Sequence, residues 1–394
     1  MISSLDYSSY VGRIAVGRLN RGTLQAGMDV MLCKANGENV RSKIKELYTF
    51  EGLAKQKTKN IVEAGEICAI LGIENFDIGD SICNIDDPHP IKPIKIDEPT
   101  MSMLFTINNS PFFGKEGKFV TSRHLRDRLY GELEKNLALK VKETESPDAY
   151  IVYGRGILHL SILIETMRRE GYEMQLGQPK VLTKEIDGIK CEPMEQLTIV
   201  LPEKFAGKVI ELATMRKAEI ISIESKGDRT QVDFSIPSRG IIGLRNNILT
   251  VSEGEAIIAH RLTGYEPWKG DIPGRRMGSL IAKETGVAIE YSINKLQDRG
   301  RFFVDPGAEI YAGMVVGENI RPDDIIVNIS LTKKMSNMRA SGNDDKTSIA
   351  PAVHFSLEES MEYIGPDEYL EVTPKSLRIR KILLNETDRK RASK

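Results

Sequence analysis

Short apolar runs separated by glycines occupy the chain from Tyr10 to about Pro93. Six strands are predicted there, at Arg13–Leu19, Thr23–Leu24, Val30–Leu32, Val40–Leu47, Glu66–Leu71 and Ser81–Ile85. Short strands at such even spacing are typical of a small closed β-barrel. The residues before Tyr10 lead into the first strand with no predicted element of their own, which is typical of a fragment. The segment Pro88–Pro99 is predicted to be a linker.

From Thr100 the spacing of apolar residues changes, and both strands and helices are predicted. Leucines recur every four residues, at Leu125, Leu129, Leu133 and Leu137. This spacing predicts the apolar face of a helix. Thr121 or Ser122, just before these leucines, could cap the N-terminus of a helix. The other predicted elements are strands at Met101–Ile107, Leu139–Glu143, Ala149–Tyr153 and Tyr172–Leu176 and a helix at Leu158–Glu170. The order β-α-β-β-α-β predicts a ferredoxin-like domain.

The same order of elements then repeats. Pro202 suits the first turn of a helix whose apolar face carries Phe205, Val209 and Leu212. The remaining elements are predicted at Gln196–Leu201, Glu219–Glu224, Gln231–Ile236, Arg239–Thr250 (a helix) and Ala256–Leu262. A second ferredoxin-like domain is therefore predicted.

The last region mixes strands with one short helix. Strands are predicted at Gly278–Ala282, Glu309–Val315 and Ile325–Ile329, and a helix at Leu357–Ile364. Ser356 and Glu359 have the spacing of a capping box for this helix. The last ten residues are basic and are predicted to be a disordered tail.

The predicted fold is a multidomain α+β protein: a β-barrel, two ferredoxin-like domains and a mixed, mainly β C-terminal domain. Their predicted bounds are 1–95, 98–184, 191–268 and 275–384, with the basic tail at 385–394. A chain of 394 residues is long enough for several cores of ordinary size.

The segment from Thr332 to Lys346 reads TKKMSNMRASGNDDK and contains almost no aliphatic residue. Its composition predicts a loop. The side chains suited to contact phosphate or sugar are Lys333, Lys334, Asn337, Arg339, Ser341 and Lys346. Asp344 and Asp345 would repel phosphate and are expected to turn the chain back toward the next helix. A solvated surface loop is the alternative, because runs of charge often only solvate a fold.

Other cations suited to RNA contact lie near the start and end of the C-terminal region. They are Arg275, Arg276, Lys375, Arg378, Arg380 and Lys381. For Arg378 and Arg380 the alternative is a β-strand edge whose alternating charges prevent aggregation. The chain has 55 Lys and Arg against 56 Asp and Glu, a net charge of −1. Affinity for RNA would therefore have to come from local patches.

No catalytic or metal-binding signature was found in the sequence. It contains no Gly-x-x-x-x-Gly-Lys-Ser/Thr phosphate loop, no Gly-x-Ser-x-Gly elbow and no His-Glu-x-x-His helix. The four cysteines are scattered, which indicates reduced thiols and no zinc site. No apolar run approaches the roughly 18 residues that a membrane span needs, and a signal peptide is not evident. A soluble, cytoplasmic and monomeric protein is expected.

Several motifs carry a resemblance to translational GTPases. Residues 12–23, GRIAVGRLNRGT, followed by Gly27, resemble the second-domain barrel of these factors. Residues 154–160, GRGILHL, and 192–194, EPM, resemble the third and fifth domains of elongation factor G. Residues 238–243, SRGIIG, and 337–342, NMRASG, are similar to the BipA (TypA) family of ribosome-associated GTPases. The resemblance extends from Leu5 to about Leu384.

This resemblance implies a function on the ribosome. The expected partners are both ribosomal subunits, ribosomal RNA and the A-site tRNA, and the 333–341 residues would contact RNA and tRNA near the A site. Stress response, cold adaptation and large-subunit assembly are the implied roles. The family's GTP-binding domain is not found in this sequence, so GTP and magnesium are expected only with that domain.

Two alternatives stay open. Paired ferredoxin-like domains could form a regulatory module that binds a small molecule, such as a guanosine tetraphosphate, in a deep and partly apolar pocket between them. The chain could also be a structural spacer, which predicts that deletion of Thr332 to Lys346 leaves the full-length factor functional.

Overall fold

The computed structural model describes residues 1–8, 12–52, 54–58, 60–93, 98–136, 138–272, 274–275, 277–332 and 349–392. The chain divides into two compact units. Unit 1 comprises Met1–Pro99 and Arg126–Val141, and unit 2 comprises Thr100–Leu125 and Lys142–Lys394.

Unit 1 is built from short strands around one apolar core. The strands are β1 (Ile2–Ser8), β2 (Gly12–Arg18), β3 (Thr23–Leu24), β4 (Asp29–Cys33), β5 (Asn39–Lys43), β6 (Glu46–Glu51), β7 (Ala54–Thr58), β8 (Val62–Glu63), β9 (Ile67–Leu71) and β10 (Ser81–Cys83). Leu32, Ile44 and Leu47 are completely buried in this core. Five of the six predicted strands are found and the sixth is divided into β5 and β6, while β1, β7 and β8 occupy residues for which no element was predicted.

The predicted closed barrel is not observed. Within the described residues the strands form separate sheets, in the orders β1-β2-β9-β6-β7, β10-β4-β5 and β3-β8. The predicted strand Val40–Leu47 illustrates the reason, because the chain turns at Ile44 and Lys45 and places β5 and β6 in different sheets. Turns of this kind let small sheets pack around a common core without one continuous ring of backbone hydrogen bonds.

The first β-α-β-β-α-β segment, here called repeat A, has the predicted order of elements. They are β11 (Met101–Ile107), α1 (Ser122–Leu133), β12 (Lys140–Glu143), β13 (Ala149–Gly154), α2 (Ile157–Glu170) and β14 (Met174–Leu176), followed by β15 (Lys180–Val181). The hydroxyl of Thr121 accepts a hydrogen bond from the His124 amide, so Thr121 caps α1 as predicted. Helix α2 ends at Gly171, whose φ of 99° is left-handed.

The second such segment, repeat B, follows after β16 (Lys184–Ile186). Its elements are β17 (Ile189–Pro202), α3 (Glu203–Met215), β18 (Glu219–Lys226), β19 (Arg229–Pro237), α4 (Ser238–Ile241), α5 (Leu244–Val251) and β20 (Ile257–Pro267). The predicted helix Arg239–Thr250 is therefore split, because Gly243 takes a φ of 73° between α4 and α5. Phe205, Val209 and Ala213 form the buried face of α3.

The C-terminal region, residues 277–392, is mainly β. Its elements are β21 (Ser279–Ala282), β22 (Gly286–Val287), α6 (Glu290–Leu296), a 3₁₀ turn (Gln297–Arg299), β23 (Gly300–Phe302), β24 (Glu309–Ile310), β25 (Met314–Asn319), β26 (Ile325–Val327), α7 (Leu357–Tyr363), β27 (Glu368–Val372), β28 (Leu377–Lys381) and α8 (Glu386–Ala392). The predicted capping box on α7 is present, since the Ser356 and Glu359 side chains bond each other's amides.

The last ten residues were predicted to be disordered, and this was wrong for the part described, which forms α8. The carbonyl and side chain of Asn385 accept hydrogen bonds from the amides of Arg389 and Thr387. Lys390 pairs with Glu386 one turn earlier. A helix is favoured here because alternating charges support i, i+4 pairs in place of repelling each other.

One sheet joins repeat A to the C-terminal region. Its strand order from β13 onward is β13-β11-β14-β27-β28-β25-β21-β26. The junction is the antiparallel pair of β14 and β27, in which Met174 lies opposite Val372. The two regions, predicted as separate domains, therefore share a continuous backbone hydrogen-bond network in unit 2.

Candidate RNA-contact region

The segment predicted to contact RNA lies mostly outside the described residues. This applies to Lys333, Lys334, Asn337, Arg339, Ser341, Lys346 and also Arg276. RNA contact by these residues stays a prediction. The two chain ends that flank the 333–348 segment are described, and they show how it is attached.

Both flanks of the 333–348 segment are fixed to one apolar cluster. Before it, Ile329 is completely buried, and its carbonyl accepts a hydrogen bond of 2.8 Å from the Ile289 amide. The hydroxyl of Ser292 donates to the Leu331 carbonyl at 2.6 Å. After it, Ile349 packs on the same cluster, and the Val353 amide donates to a carbonyl of β23. The segment therefore leaves and re-enters the fold at a well-packed base.

Arg275 and Lys381, predicted to contact RNA, converge instead on one buried carboxylate. Both Glu368 oxygens accept hydrogen bonds of 2.9 Å from the Arg275 guanidinium, and Ser279 donates at 2.6 Å. Lys381 lies 3.0 Å from Glu368 and also pairs with Asp324 and Asp367. The Glu368 cluster is the name used below for Glu368 and the five residues around it, which are Arg275, Ser279, Asp324, Asp367 and Lys381.

The electrostatics of the Glu368 cluster favour the charged form of its carboxyl. Burial alone would raise the pKa of Glu368, but the hydrogen bonds and charge of Arg275, with the charge of Lys381, lower it to about 2. Burial opposes the charge of Lys381, yet Glu368 and the two aspartates raise the pKa of that amine. A buried pair of this kind is costly to break, because removing one partner leaves an uncompensated charge.

Arg378 points into a second network, the Glu371 cluster, at the junction between β14 and β27. Glu371 is completely buried and accepts hydrogen bonds from Asn108, Ser110, Tyr311 and Arg378, the shortest being 2.6 Å from the tyrosine hydroxyl. Arg378 also lies 2.6 Å from Glu116. Burial opposes ionisation of Glu116, but hydrogen bonds from Thr373 and Arg378 lower its pKa.

A third carboxylate fixes the loop between β11 and α1. Glu173, 2% exposed, accepts hydrogen bonds from the amides of Gly114, Glu116 and Gly117, the last at 2.6 Å. Asn108 bridges Glu173 and Glu371. The buried polar side chains at this junction are thereby linked in one network, which specifies how repeat A meets the C-terminal region.

Arg380 is only 2% exposed and bonds Asn109 and the carbonyls of Lys381 and Ile382. The alternative proposed for Arg378 and Arg380, a strand edge, is wrong, because β28 pairs with β27 on one side and β25 on the other. Lys375 is exposed in the turn between β27 and β28. In this conformation, Arg275, Arg378, Arg380 and Lys381 thus hold the fold together, and any contact they make with RNA stays a prediction.

These carboxylates were missed by the sequence analysis. Glu173 lies in a predicted strand, where a charged residue usually faces solvent. Glu368 and Glu371 lie in β27, for which no element was predicted. A usable signal was present in the order E-Y-L-E of β27 and R-I-R-K of β28, since opposite charges in neighbouring strands pair across a sheet. The sequence does not show that both strands are interior.

A cleft of about 1590 Å³ lies within unit 2 between repeat B and the C-terminal region. Gln178 and Pro179, at the end of repeat A, also line it. On its repeat B side, Arg216 bonds the Ile242 carbonyl at 3.3 Å, and burial lowers the pKa of this guanidinium. On the other side, burial raises the pKa of Glu362. The regulatory alternative requires a pocket between the two ferredoxin-like domains, whereas this cleft lies between repeat B and the C-terminal region, and ligand binding by it is untested.

Comparison with known proteins assigns these regions to families. Models named elongation factor Tu domain 2, elongation factor G C-terminus and TypA/BipA C-terminal domain match residues 12–83, 189–276 and 277–386. The chain is 44% identical, over all of its length, to the Large ribosomal subunit assembly factor BipA of Bacillus subtilis (strain 168). The chain belongs to the BipA (TypA) family.

Other BipA relatives give the same result. The proteins of the same name from Synechocystis sp. and Salmonella typhimurium are 44% and 43% identical, over 97% and 100% of this chain. The chain spans 64 to 65% of the length of these three relatives. The activity and partners of a whole BipA protein are therefore treated below as proposals.

The BipA assignment also locates the features described above. The TypA/BipA C-terminal match contains both flanks of the 333–348 segment, the Glu368 carboxylate and strands β27 and β28. Arg216 and repeat B fall in the elongation factor G match, so the cleft lies between residues of two family models. Among the described residues, no helix is long and apolar enough to cross a membrane.

Proposed function

We propose that this chain is the ribosome- and RNA-binding portion of a BipA protein that acts in assembly of the large ribosomal subunit. The observation that carries the proposal is the basic 333–346 segment, whose flanks are fixed to one apolar cluster in the region matched by the TypA/BipA C-terminal model. Three relatives with this similarity are named large ribosomal subunit assembly factors. A cytoplasmic location follows from the proposal.

In the proposed mechanism, the base holds the segment while its cations neutralise phosphates. Lys333, Lys334 and Arg339 contact ribosomal RNA, and Asn337 and Ser341 add hydrogen bonds to sugar or base edges near the acceptor end of the A-site tRNA. The net charge of −1 gives the chain little general attraction to RNA, so these local contacts must supply the affinity.

Further parts of the proposal concern the whole BipA protein. Unit 1 would face the small subunit, and the two β-α-β-β-α-β repeats would act as ferredoxin-like domains near the factor-binding region of the large subunit. GTP binding and hydrolysis are proposed for the full-length protein, as are roles in stress response and cold adaptation. These proposals rest on the family resemblance.

The test is ribosome binding by a triple variant, Lys333→Ala, Lys334→Ala and Arg339→Ala, over a salt series. Each phosphate contact adds about 0.7 to 0.9 to the slope of log affinity against log salt. The variant should therefore bind more weakly and show a slope smaller by about 2 to 3. An unchanged affinity and slope would contradict the proposal.

A matched control removes the same number of charges elsewhere. Arg169, Lys204 and Lys208 are exposed and lie on helices α2 and α3. Replacing these three by alanine changes the net charge by the same amount but leaves the 333–346 segment intact. The control should retain most of the affinity and salt slope.

The regulatory alternative has one observation in its favour, the cleft. Among the described residues Arg216 has no carboxylate within 4.0 Å, and amide side chains of Asn246 and Asn247 line the same space. A half-buried cation in such a cleft suits an anionic nucleotide. Calorimetric titration with guanosine nucleotides tests it: saturable binding lost in Arg216→Ala would support a nucleotide site, and no heat at millimolar nucleotide would exclude one.

A further inference from the structure

An exposed patch of apolar, aromatic and basic side chains lies beside the base of the 333–348 segment. Val287, Tyr291 and Leu331 are 47%, 44% and 54% exposed, and Lys295 is exposed as well. These four residues are called the root patch. Large apolar side chains this exposed in one place usually mark a binding surface.

Backbone contacts bring the members of the root patch together. The Ser292 hydroxyl donates to the carbonyl of Leu331, which places the first turn of α6 against that residue. A Cβ added to Gly286 would come within 2.9 Å of the Ser330 hydroxyl, so β22 also passes close to the residue before Leu331. Gly286 and Ser292, the neighbours of Val287 and Tyr291, thus both lie against the chain just before it enters the 333–348 segment.

The inward and outward faces of α6 are clearly separated. Ser292 and Ile293 are 3% and 2% exposed and point into the fold. Tyr291 and Lys295 are four residues apart, so they lie one above the other on the opposite, exposed face. Within the part of the chain that the structure describes, neither side chain has a hydrogen bond, ion pair or ring contact.

We propose that the root patch binds an unpaired nucleotide of RNA. The base stacks on the Tyr291 ring, with Val287 and Leu331 extending the apolar surface, while Lys295 contacts the adjoining phosphate. Bases of single-stranded RNA bind in this way, on an aromatic ring with a cation nearby. The inference deepens the proposed function and rests on it, because the nucleotide would belong to the RNA that the 333–346 segment contacts.

A protein partner is the competing occupant of this surface. RNA is favoured because Leu331 of the patch is two residues before a stretch of sequence with four cations, Lys333, Lys334, Arg339 and Lys346, against two aspartates, and because α6 carries the exposed Lys295 in its last turn. A purely apolar protein contact would not need a cation one helical turn from the tyrosine. The two occupants give different results in the experiment below.

The experiment measures binding to large ribosomal subunits over a salt series for Tyr291→Ala, Tyr291→Phe and Lys295→Ala. Because the base stack is lost, the affinity of Tyr291→Ala for large ribosomal subunits should be about 5- to 150-fold lower at every salt concentration. Tyr291→Phe should stay within about twofold of the parent, because stacking does not use the hydroxyl. Lys295→Ala should lower the salt slope by about 0.7 to 0.9.

Tyr7→Ala is the matched control, since Tyr7 is 38% exposed and lies in unit 1. It should bind like the parent. A crosslinking substitution, Tyr291→benzoylphenylalanine, identifies the occupant directly: a crosslink to RNA supports the proposal, and a crosslink to a ribosomal protein alone overturns it.

The triple variant of the 333–346 segment separates the two levels of the argument. If that variant loses binding while Tyr291→Ala does not, the root patch inference is wrong and the proposed function stands. If neither variant loses binding, both are wrong. If both lose binding and the crosslink is to RNA, the root patch is part of the RNA-contact surface.

Discussion

Glu368 carries a negative charge at a position with no solvent exposure, and the side chains around it explain how. Arg275 binds both carboxylate oxygens, Lys381 lies 3.0 Å away, and Ser279 supplies a further donor. The cost of burying three charges is offset only while all of them are present. Arg275 and Lys381 therefore serve the stability of the C-terminal region, whatever else they contact.

Glu368→Gln should be strongly destabilising. It removes the negative charge and leaves two cations buried without a full partner, which typically costs about 3 to 5 kcal/mol. Urea unfolding followed by circular dichroism gives the free energy of unfolding. Asp367→Asn is the control, because Asp367 also pairs with Lys381 but its side chain is 62% exposed, and its effect should stay below about 1 kcal/mol.

The pH dependence of stability should have opposite signs at two residues. The pKa of Glu368 is lowered to about 2 in the fold. Its contribution to the free energy of unfolding is therefore fully present above the pKa of the unfolded chain, 4.5, and is lost as the pH falls toward 2. The hydrogen bond to Glu195 raises the pKa of His260. The contribution of His260 to the free energy of unfolding is therefore fully present below the pKa of the unfolded chain, 6.5, and is lost as the pH rises through the folded pKa.

The pH dependence expected for His260 can be measured with the variant His260→Ala. The parent should exceed the variant in free energy of unfolding by more at pH 6 than at pH 9, because His260 is charged and paired only at the lower pH. Equal differences at both pH values would show that the Glu195 pair does not stabilise the fold. The His260 side chain is about half exposed, so a small effect is expected.

At the scale of elements, the loop between β11 and α1 depends on close approach of its backbone to a carboxylate. A Cβ on Gly117 would lie 2.3 Å from the Glu173 side chain, which accepts a hydrogen bond from the Gly117 amide. Gly117→Ala should therefore destabilise the chain by about 1 to 3 kcal/mol. In Gly131→Ala, within α1, the added methyl meets nothing within 4 Å and should stabilise by about 0.5 to 1 kcal/mol.

The elements of repeats A and B were largely predictable from the sequence, whereas α6, β27 and β28 of the C-terminal region were not predicted. Apolar spacing located both β-α-β-β-α-β repeats, and the Ser356 and Glu359 spacing located the capping box of α7, because these signals are local in the chain. The junction of β14 and β27 was not predictable, since it pairs Met174 with Val372 and no local pattern records such a pairing. The closed barrel is not observed because the division of the strands among sheets is also set by non-local pairing, whereas the helix α8 has local i, i+4 charge pairs that the prediction of a disordered tail did not consider.

The candidate site was predictable only in part. Cations in a glycine-bearing segment at 333–346 can be recognised by composition, whereas the partners of Arg275, Arg378 and Lys381 depend on which strands become neighbours. Tyr291 could not be predicted as a contact residue either, because no helix was predicted at Glu290–Leu296. Its exposure depends on which face of α6 meets the core.

At the scale of the whole molecule, the residues that attach the 333–346 segment to the fold should be separable from those that bind the ribosome. Replacing residues 333–346 by a glycine-serine linker of equal length keeps Ile329, Leu331 and Ile349, which hold the flanks. The free energy of unfolding should change by less than about 0.5 kcal/mol, whereas ribosome binding should be lost. Full activity of the full-length factor with this replacement would instead support the structural-spacer alternative.

Contact between the 333–346 segment and ribosomal RNA would be visible in a complex of the full-length factor with the ribosome, imaged by electron cryomicroscopy. We expect density for residues 333–342 against RNA near the A site, with Tyr291 beside an unpaired base. A complex in which this segment lies in solvent or against protein, with no RNA within hydrogen-bond distance of Lys333, Lys334 or Arg339, would contradict it.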